Sequence, residues 1–303
     1  MADWQTQFLG AHRLPVDYID MATRWFEPLA VDIAMRQKSA SKPILVAVNG
    51  SQGSGKSTLC DYLCQSLKVN HQRSAIAMSL DDFYLTREER NTLATDVHPL
   101  LQTRGVPGTH DHQLLDNTLA ALMQTTSKAS VAIPRFDKST DDRQPQELWQ
   151  RLSSPVDVIL LEGWCMGATA QAEAELHNPI NTLESENDAD CVWRTHSNSV
   201  LRDKFHPLYA MVDLWIMLAA PSFETVLGWR REQEHKLAEK TPGKNEPNQI
   251  MDDATVAFFI NHFERITRHC LENLPMKVHH FHQLDSNRAI IAYRNQPRAQ
   301  VAP

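Results

Sequence analysis

The sequence is short of basic excess, long apolar runs, cysteine and glycine, and each shortage excludes something. Its 303 residues hold 30 Lys and Arg against 37 Asp and Glu, a formal charge of −7. A surface that neutralises a nucleic-acid backbone needs a cationic excess, so nucleic acid is not an expected partner. The longest apolar stretch, about Leu214 to Ala220, is far below the roughly 20 residues that span a bilayer. The opening stretch, MADWQTQFLGAHRLP, carries an acid at Asp3 and has no apolar core of the kind a secretory signal needs. Five cysteines, an odd and small number, argue against a disulfide framework and for a reducing compartment. These features predict a cytoplasmic protein with no membrane partner. Its 42% hydrophobic and 22% charged residues fit an ordinary globular chain of one large or two small domains.

Glycine is the most informative scarcity. There are only ten, and seven fall in three clusters: Gly50, Gly53 and Gly55; Gly105 and Gly108; Gly163 and Gly167. A chain that avoids glycine elsewhere needs unusual backbone, or close approach to a ligand, at those three places.

Apolar periodicity supplies the elements between them. Pro43–Val48, Ser74–Leu80, Val131–Phe136, Val156–Leu161, Val212–Ala219 and Lys277–Leu284 read as strands. Pro134 suggests that the third ends early or lies at an edge. Tyr18–Arg36 (kinked near Pro28), Ser57–Leu67, His112–Gln124, Ser222–Lys240 and Asp252–Leu274 read as helices, and residues 241–249 as a loop. In the last helix Val256, Phe259, Phe263, Ile266 and Cys270 are expected to face the core. Strands alternating with helices predict an α/β fold, a mostly parallel sheet of about five strands with helices on both faces. Ligands then bind at the carboxyl ends of the strands.

Gly50-Ser51-Gln52-Gly53-Ser54-Gly55-Lys56-Ser57, followed by Thr58, satisfies G-x-x-x-x-G-K-[ST] between a predicted strand and a predicted helix. At ordinary residue frequencies a chain of this length matches by chance about once in a hundred. The loop amides and helix start would cradle phosphates, Lys56 would reach the β- and γ-phosphates of ATP, and the Ser57 hydroxyl would ligate Mg²⁺. Asp81 and Asp82 directly follow the second strand, and Glu162 directly follows the strand 156–161, so all three lie on the edge that carries Lys56. Glu162 is placed for the Mg²⁺ shell. Asp81 is placed to accept the proton of an attacking hydroxyl. The ordinary alternative for Asp81 or Asp82 is an N-cap for the next segment.

Ser79–Tyr84 (SLDDFY) resembles the D-x-F-Y element of the uridine kinase, pantothenate kinase and phosphoribulokinase group of P-loop kinases, and Leu161–Trp164 (LEGW) its strand ending in L-E-G. Within that group, residues 50–58, 79–86, 104–111 (RGVPGTHD), 134–138 (PRFDK), 162–165 (EGWC) and 229–234 (WRREQE) together resemble D-glycerate 3-kinase of the plant and fungal type and its bacterial relatives. The resemblance spans about residues 40 to 290. It implies a P-loop kinase fold with a helical lid, Asp81 rather than Asp82 as base, and lid arginines, Arg230 and Arg231, that stabilise the transferred phosphoryl group. Adjacent helical positions diverge by about 100°, so one of the two should point inward. The segment after Lys138 is shorter than in the plant enzymes, and residues 168–198 form an acidic insertion. The expected division is a helical segment over 1–40 and a kinase domain over 41–303, with that insertion and a lid over 222–251.

The remaining polar residues sort by competing readings. Arg104 and His110 lie in a glycine-flanked loop, facing an anionic group of the acceptor or merely shaping a turn that Asp111 caps. Arg135, Lys138 and Arg143 lie past the third strand; arginine grips a carboxylate bidentately, but a solvated surface is the commoner fate of such residues. Arg194 and Asn198, in the insertion, are weaker candidates. Cys60 and Cys64 share a helix face without a matching ligand pair, and His279, His280 and His282 lack a third ligand on one face, so no structural metal is expected. The reading is an ATP- and Mg²⁺-dependent kinase with a small hydroxyl acceptor, D-glycerate being the best fit. The rivals are a pantothenate- or nucleoside-type kinase and an ATP-binding switch without an acceptor.

Overall fold

The computed structural model describes residues 1–124, 130–152, 155–240 and 253–296. Among the described residues there are ten strands: β1 (Ile44–Gly50), β2 (Ala75–Ser79), β3 (Val131–Ile133), β4 (Phe136–Asp137), β5 (Asp142–Arg143), β6 (Gln150–Leu152), β7 (Val158–Gly163), β8 (Leu214–Ala219), β9 (His280–Leu284) and β10 (Ile290–Asn295). Six form one sheet in the order β10-β9-β8-β1-β7-β2. All its neighbours run parallel except the β9/β10 pair. Every residue of β1, β7 and β8 is buried, the unbroken apolar pattern of parallel strands covered on both faces.

The sheet therefore has six strands rather than about five, because β10 adds an antiparallel edge. Val131–Phe136 is not part of it. Proline at 134 has no N–H to give a ladder, and the segment splits into β3, paired with β6, and β4, paired with β5. This small antiparallel arm still reaches the carboxyl edge of the sheet, because the Phe136 amide donates to Asp82 at 3.2 Å.

The expected helix over 18–36 is two, Tyr18–Trp25 and Glu27–Ser39, with Pro28 in the first turn of the second, where a missing N–H costs nothing. A further helix, Asp3–His12, precedes them. These helices brace the helix after the phosphate loop, Lys56–Asn70. Trp4, Phe8 and Phe26 pack edge-on around Tyr62 at 5.3, 5.6 and 5.7 Å. The Glu27 carboxylate accepts from the Tyr62 hydroxyl (3.2 Å) and the Ser66 hydroxyl (2.7 Å).

The remaining long helices are His112–Leu122, Phe223–Lys240 and Asp253–Asn273. Val256, Phe263, Ile266 and Cys270 of the last are buried, and Phe259 is half-buried. The stretch expected as an insertion carries the helices Glu173–Leu176, Thr182–Asn187 and Val192–Val200. Arg194 and Arg265 converge on the buried Glu184 at 3.3 and 2.6 Å. His280 and His282 lie on the same buried face of β9; His280 pairs with Asp32 at 2.8 Å. The loop expected over 241–249, and the end of the lid to 251, lie outside the described residues. Among those described, no helix is long and apolar enough to cross a membrane.

Candidate active site

Three neighbouring strands bring the candidate residues together. Register sets Glu162 of β7 opposite Val48 of β1 on one side and Ser79 of β2 on the other. Glu162 is thus inside β7, whose end lies two residues later than the sequence suggests, and it sits between the loop after β1 and the turn after β2.

The phosphate loop joins β1 to its helix through Gly53 and Gly55, both in the left-handed region (φ +78° and +90°). A Cβ at Gly50 would come within 2.5 Å of the Ser54 hydroxyl. Ser51 Oγ, Gln52 Oε1 and Ser54 Oγ are buried without a hydrogen-bond partner. Lys56 and Ser57 open the helix, where the first backbone N–H groups lack intrahelical partners. The Ser57 hydroxyl donates to Glu162 Oε1 at 2.7 Å, and Lys56 Nζ lies 3.6 Å from Glu162 Oε2. That second oxygen is buried and accepts no hydrogen bond. A hydroxyl beside a carboxylate with one unclaimed oxygen is a donor set suited to a hard cation such as Mg²⁺. Burial opposes the charge on Lys56, but Glu162 and then Asp81 outweigh it and hold its pKa above the ordinary lysine value.

Asp81 and Asp82 are the middle residues of the turn Leu80–Phe83 and part company there. Neither caps a helix. Ser79 caps the turn, and Thr86 with Glu89 caps the next helix, Arg87–Asp96. Asp82 is buried and accepts from Arg135 Nη1 (2.9 Å) and the Phe136 amide, so it anchors the β3–β6 arm. Burial raises its pKa in spite of Arg135. Asp81 accepts from the Tyr84 hydroxyl at 2.8 Å and from Lys138 Nζ at 2.7 Å. Burial alone would raise its pKa, but Lys138, then Lys56, and the hydrogen bonds from Lys138 and Tyr84 hold it well below the usual carboxylate range. Lys138 is 61% exposed and Asp81 24%.

The loop over residues 104–111 docks on this turn. Leu85 N donates to Thr109 O (2.9 Å) and Asp111 N to Phe83 O (2.7 Å), which lays the His110 ring against Tyr84 at 4.7 Å. Both ring nitrogens of His110 are buried and unpartnered. Burial pushes its pKa down to about 3, with His112 adding to the effect, so the ring is neutral. Asp111 caps the following helix through the Leu114 amide at 2.9 Å, as expected.

The arginines expected near an anionic acceptor are engaged within the protein. Arg104 pairs with Asp141, Arg135 with Asp82, and Arg143 with Asp111. On the helix Phe223–Lys240, the Arg230 guanidinium lies over the Phe259 ring at 5.6 Å, and Arg231 is half-buried. Tyr84 stands inside the D-x-F-Y string, but its hydrogen bond to Asp81 is not legible there. Trp229 and Arg288 meet the phosphate loop from elements far away in the chain, which no local signal shows.

No family model matches the chain. A kinase of Schizosaccharomyces pombe described as the uncharacterized kinase mug58 is 32% identical over 250 residues, covering 80% of this chain and 86% of that one. The chloroplastic D-glycerate 3-kinase of Arabidopsis thaliana is 30% identical over 206 residues, 63% of this chain and 41% of that one. The solved structure of D-glycerate 3-kinase from Cryptococcus neoformans superposes with a TM-score of 0.70 at 25% identity, over 88% of this chain and 96% of that one. A phosphate loop, a mostly parallel sheet and these relatives agree on an ATP-dependent phosphotransferase that acts on a small alcohol. The chain belongs to the family of P-loop kinases that includes mug58 and D-glycerate 3-kinase.

Proposed function

We propose that the alcohol is a small hydroxy acid, D-glycerate fitting best, and that Lys138 reads its carboxylate. The observation that carries this reading is the Lys138–Asp81 pair. All four cations have carboxylate partners, but Arg104 and Arg143 are largely buried and Arg135 holds the buried Asp82, whereas Lys138 is an exposed ammonium on a flexible stem, resting on the residue placed to serve as base. An incoming carboxylate competes with Asp81 for that ammonium. As Lys138 turns toward it, the charge holding the Asp81 pKa down weakens, and Asp81 becomes more basic when the acceptor is in place. The relatives named D-glycerate 3-kinase support the same acceptor.

In this reading residues 50–58 cradle the ATP phosphates, with Lys56 on the β- and γ-groups. Ser57 and Glu162 would hold Mg²⁺, which would supply charge neutralisation for the phosphoryl transfer. Asp81 takes the acceptor's hydroxyl proton as that oxygen bonds to the γ-phosphorus and the bond to the β–γ bridging oxygen breaks, leaving ADP. Tyr84 keeps the Asp81 carboxylate aimed. Arg230 or Arg231 approaches the equatorial oxygens as the lid closes. The cysteines are all free thiols, which suits a reducing, cytoplasmic setting. ADP release in the presence of D-glycerate, other hydroxy acids, pantothenate and nucleosides tests the proposal. Turnover confined to hydroxy acids supports it; turnover with a nucleoside or pantothenate instead would replace it.

A further inference from the structure

We propose that Arg288 is a positioning residue that latches the phosphate loop to the lid helix Phe223–Lys240, so that nucleotide binding and lid placement are coupled. The inference rests on reading residues 50–58 as the nucleotide site.

Arg288 lies in the turn between β9 and β10, in left-handed backbone (φ +69°) that a residue with a side chain seldom adopts. The turn is tightly held: Asp285 Oδ1 accepts from the Asn287 and Ala289 amides, both at 2.8 Å, and the Asp285 amide donates to Ala289 O at 2.9 Å. From this base the guanidinium makes three contacts. Nε donates to the Gly53 carbonyl at 2.8 Å, Nη2 donates to Glu232 Oε2 at 2.7 Å, and the planar face lies over the Trp229 ring at 5.0 Å. Gly53 belongs to the phosphate loop, and Trp229 and Glu232 to the lid helix. Trp229 is tied to the same turn, its Nε1 donating to Ser286 O at 2.7 Å.

Gly53 must be glycine for two reasons that concern this junction. Its φ is positive, and a Cβ there would stand 2.9 Å from the Trp229 Cβ. The Gly53–Ser54 peptide is held at both ends, because its carbonyl accepts from Arg288 and its N–H donates to Ser51 O at 3.2 Å. A trans peptide fixed at both poles cannot flip. The loop is therefore set in shape before nucleotide arrives, and less ordering is left for binding to supply. A lysine in place of Arg288 lacks the fixed fork of Nε–H and Nη2–H that meets the two acceptors and the planar face that covers Trp229.

The experiment uses the full chain and mant-ATP as the nucleotide probe, with steady-state kinetics on the acceptor that turns over. Arg288→Ala should weaken mant-ATP binding about tenfold, the usual scale for losing one charge-assisted hydrogen bond, and also lower kcat, with the acceptor KM within about twofold. Glu232→Ala removes the lid contact of Arg288 and leaves its Gly53 contact in place, so it should lower kcat and leave mant-ATP affinity within about twofold. The double variant should lose no more kcat than Arg288→Ala alone. Arg288→Lys should fall between wild type and Arg288→Ala in affinity, and it carries the test if the alanine variant does not fold. Lys56→Ala is the control. If it loses mant-ATP while Arg288→Ala binds like wild type, the latch is wrong and the nucleotide site stands. If neither loses it, the reading of residues 50–58 fails and the latch with it. Equal losses toward nucleotide and acceptor, with a matching fall in melting temperature, would make Arg288 a general stabiliser and overturn the proposal.

Discussion

Lys138 Nζ sits 2.7 Å from Asp81 Oδ2, so the carboxylate at the end of β2 is held by a cation more than half exposed to solvent. Asp82, the next residue, is held by Arg135 and a backbone amide and is buried. Two adjacent aspartates thus have different environments and should have different jobs.

Asp81→Asn should bind mant-ATP normally and transfer phosphate slowly, since losing a general base costs roughly 10²- to 10⁴-fold. Asp82→Asn should show its effect in stability, by about 1–3 kcal/mol, because it leaves the buried anchor of the β3–β6 arm poorly matched. Single-turnover rates and thermal melts of the two variants separate these outcomes. A larger rate loss at Asp82 would move the base there.

Lys138→Met should shift the pH dependence of the reaction. Lys138 is the largest influence lowering the Asp81 pKa, and Lys56 remains after its removal. The variant's Asp81 pKa should rise, so the acid limb of kcat/KM should move to higher pH. The stability linkage has the same origin. A depressed carboxylate pKa stabilises the fold above the unfolded value and loses that contribution as pH falls through the folded one. Acid unfolding of Lys138→Met should therefore set in at higher pH. Unchanged profiles would mean that the pair does not govern Asp81.

Much of this site is legible in the sequence because it is local. The phosphate loop is eight consecutive residues whose glycines are required by backbone shape, and Asp81 and Glu162 follow from strand ends. The apolar runs of β1, β7 and β8 are long enough to read without a partner. What sequence does not show is pairing across distance. Val131–Phe136 has strand composition, but only its partner β6 reveals that it leaves the sheet. The arginines 104, 135 and 143 resemble a carboxylate-binding set until Asp141, Asp82 and Asp111 are seen to hold them. Arg288 is 235 residues from Gly53 and belongs to no motif.

Glu162→Gln should raise the Mg²⁺ concentration needed for half-maximal activity, since it removes charge from the oxygen pair formed with Ser57. A Mg²⁺ titration at fixed ATP reads this directly. Turnover that survives EDTA would leave Glu162 without a metal role.

Alanine at Arg231 should cost more kcat than alanine at Arg230, because the Arg230 guanidinium is stacked on Phe259 while its neighbour projects about 100° further round the helix. The loss should fall mainly on kcat, since charge on the moving phosphoryl group is greatest in the transition state. Small and equal effects at both positions would take this helix out of the chemistry.

The most direct test of the account compares D-glycerate with its uncharged amide, D-glyceramide, as acceptors for wild type and Lys138→Met. If Lys138 reads the carboxylate and thereby frees Asp81, wild type should prefer D-glycerate in kcat/KM by at least about tenfold, the scale of one charge-assisted contact. The substitution should erase most of that preference by lowering D-glycerate turnover alone. An equal preference in both proteins, or equal use of the two acceptors by wild type, would contradict it.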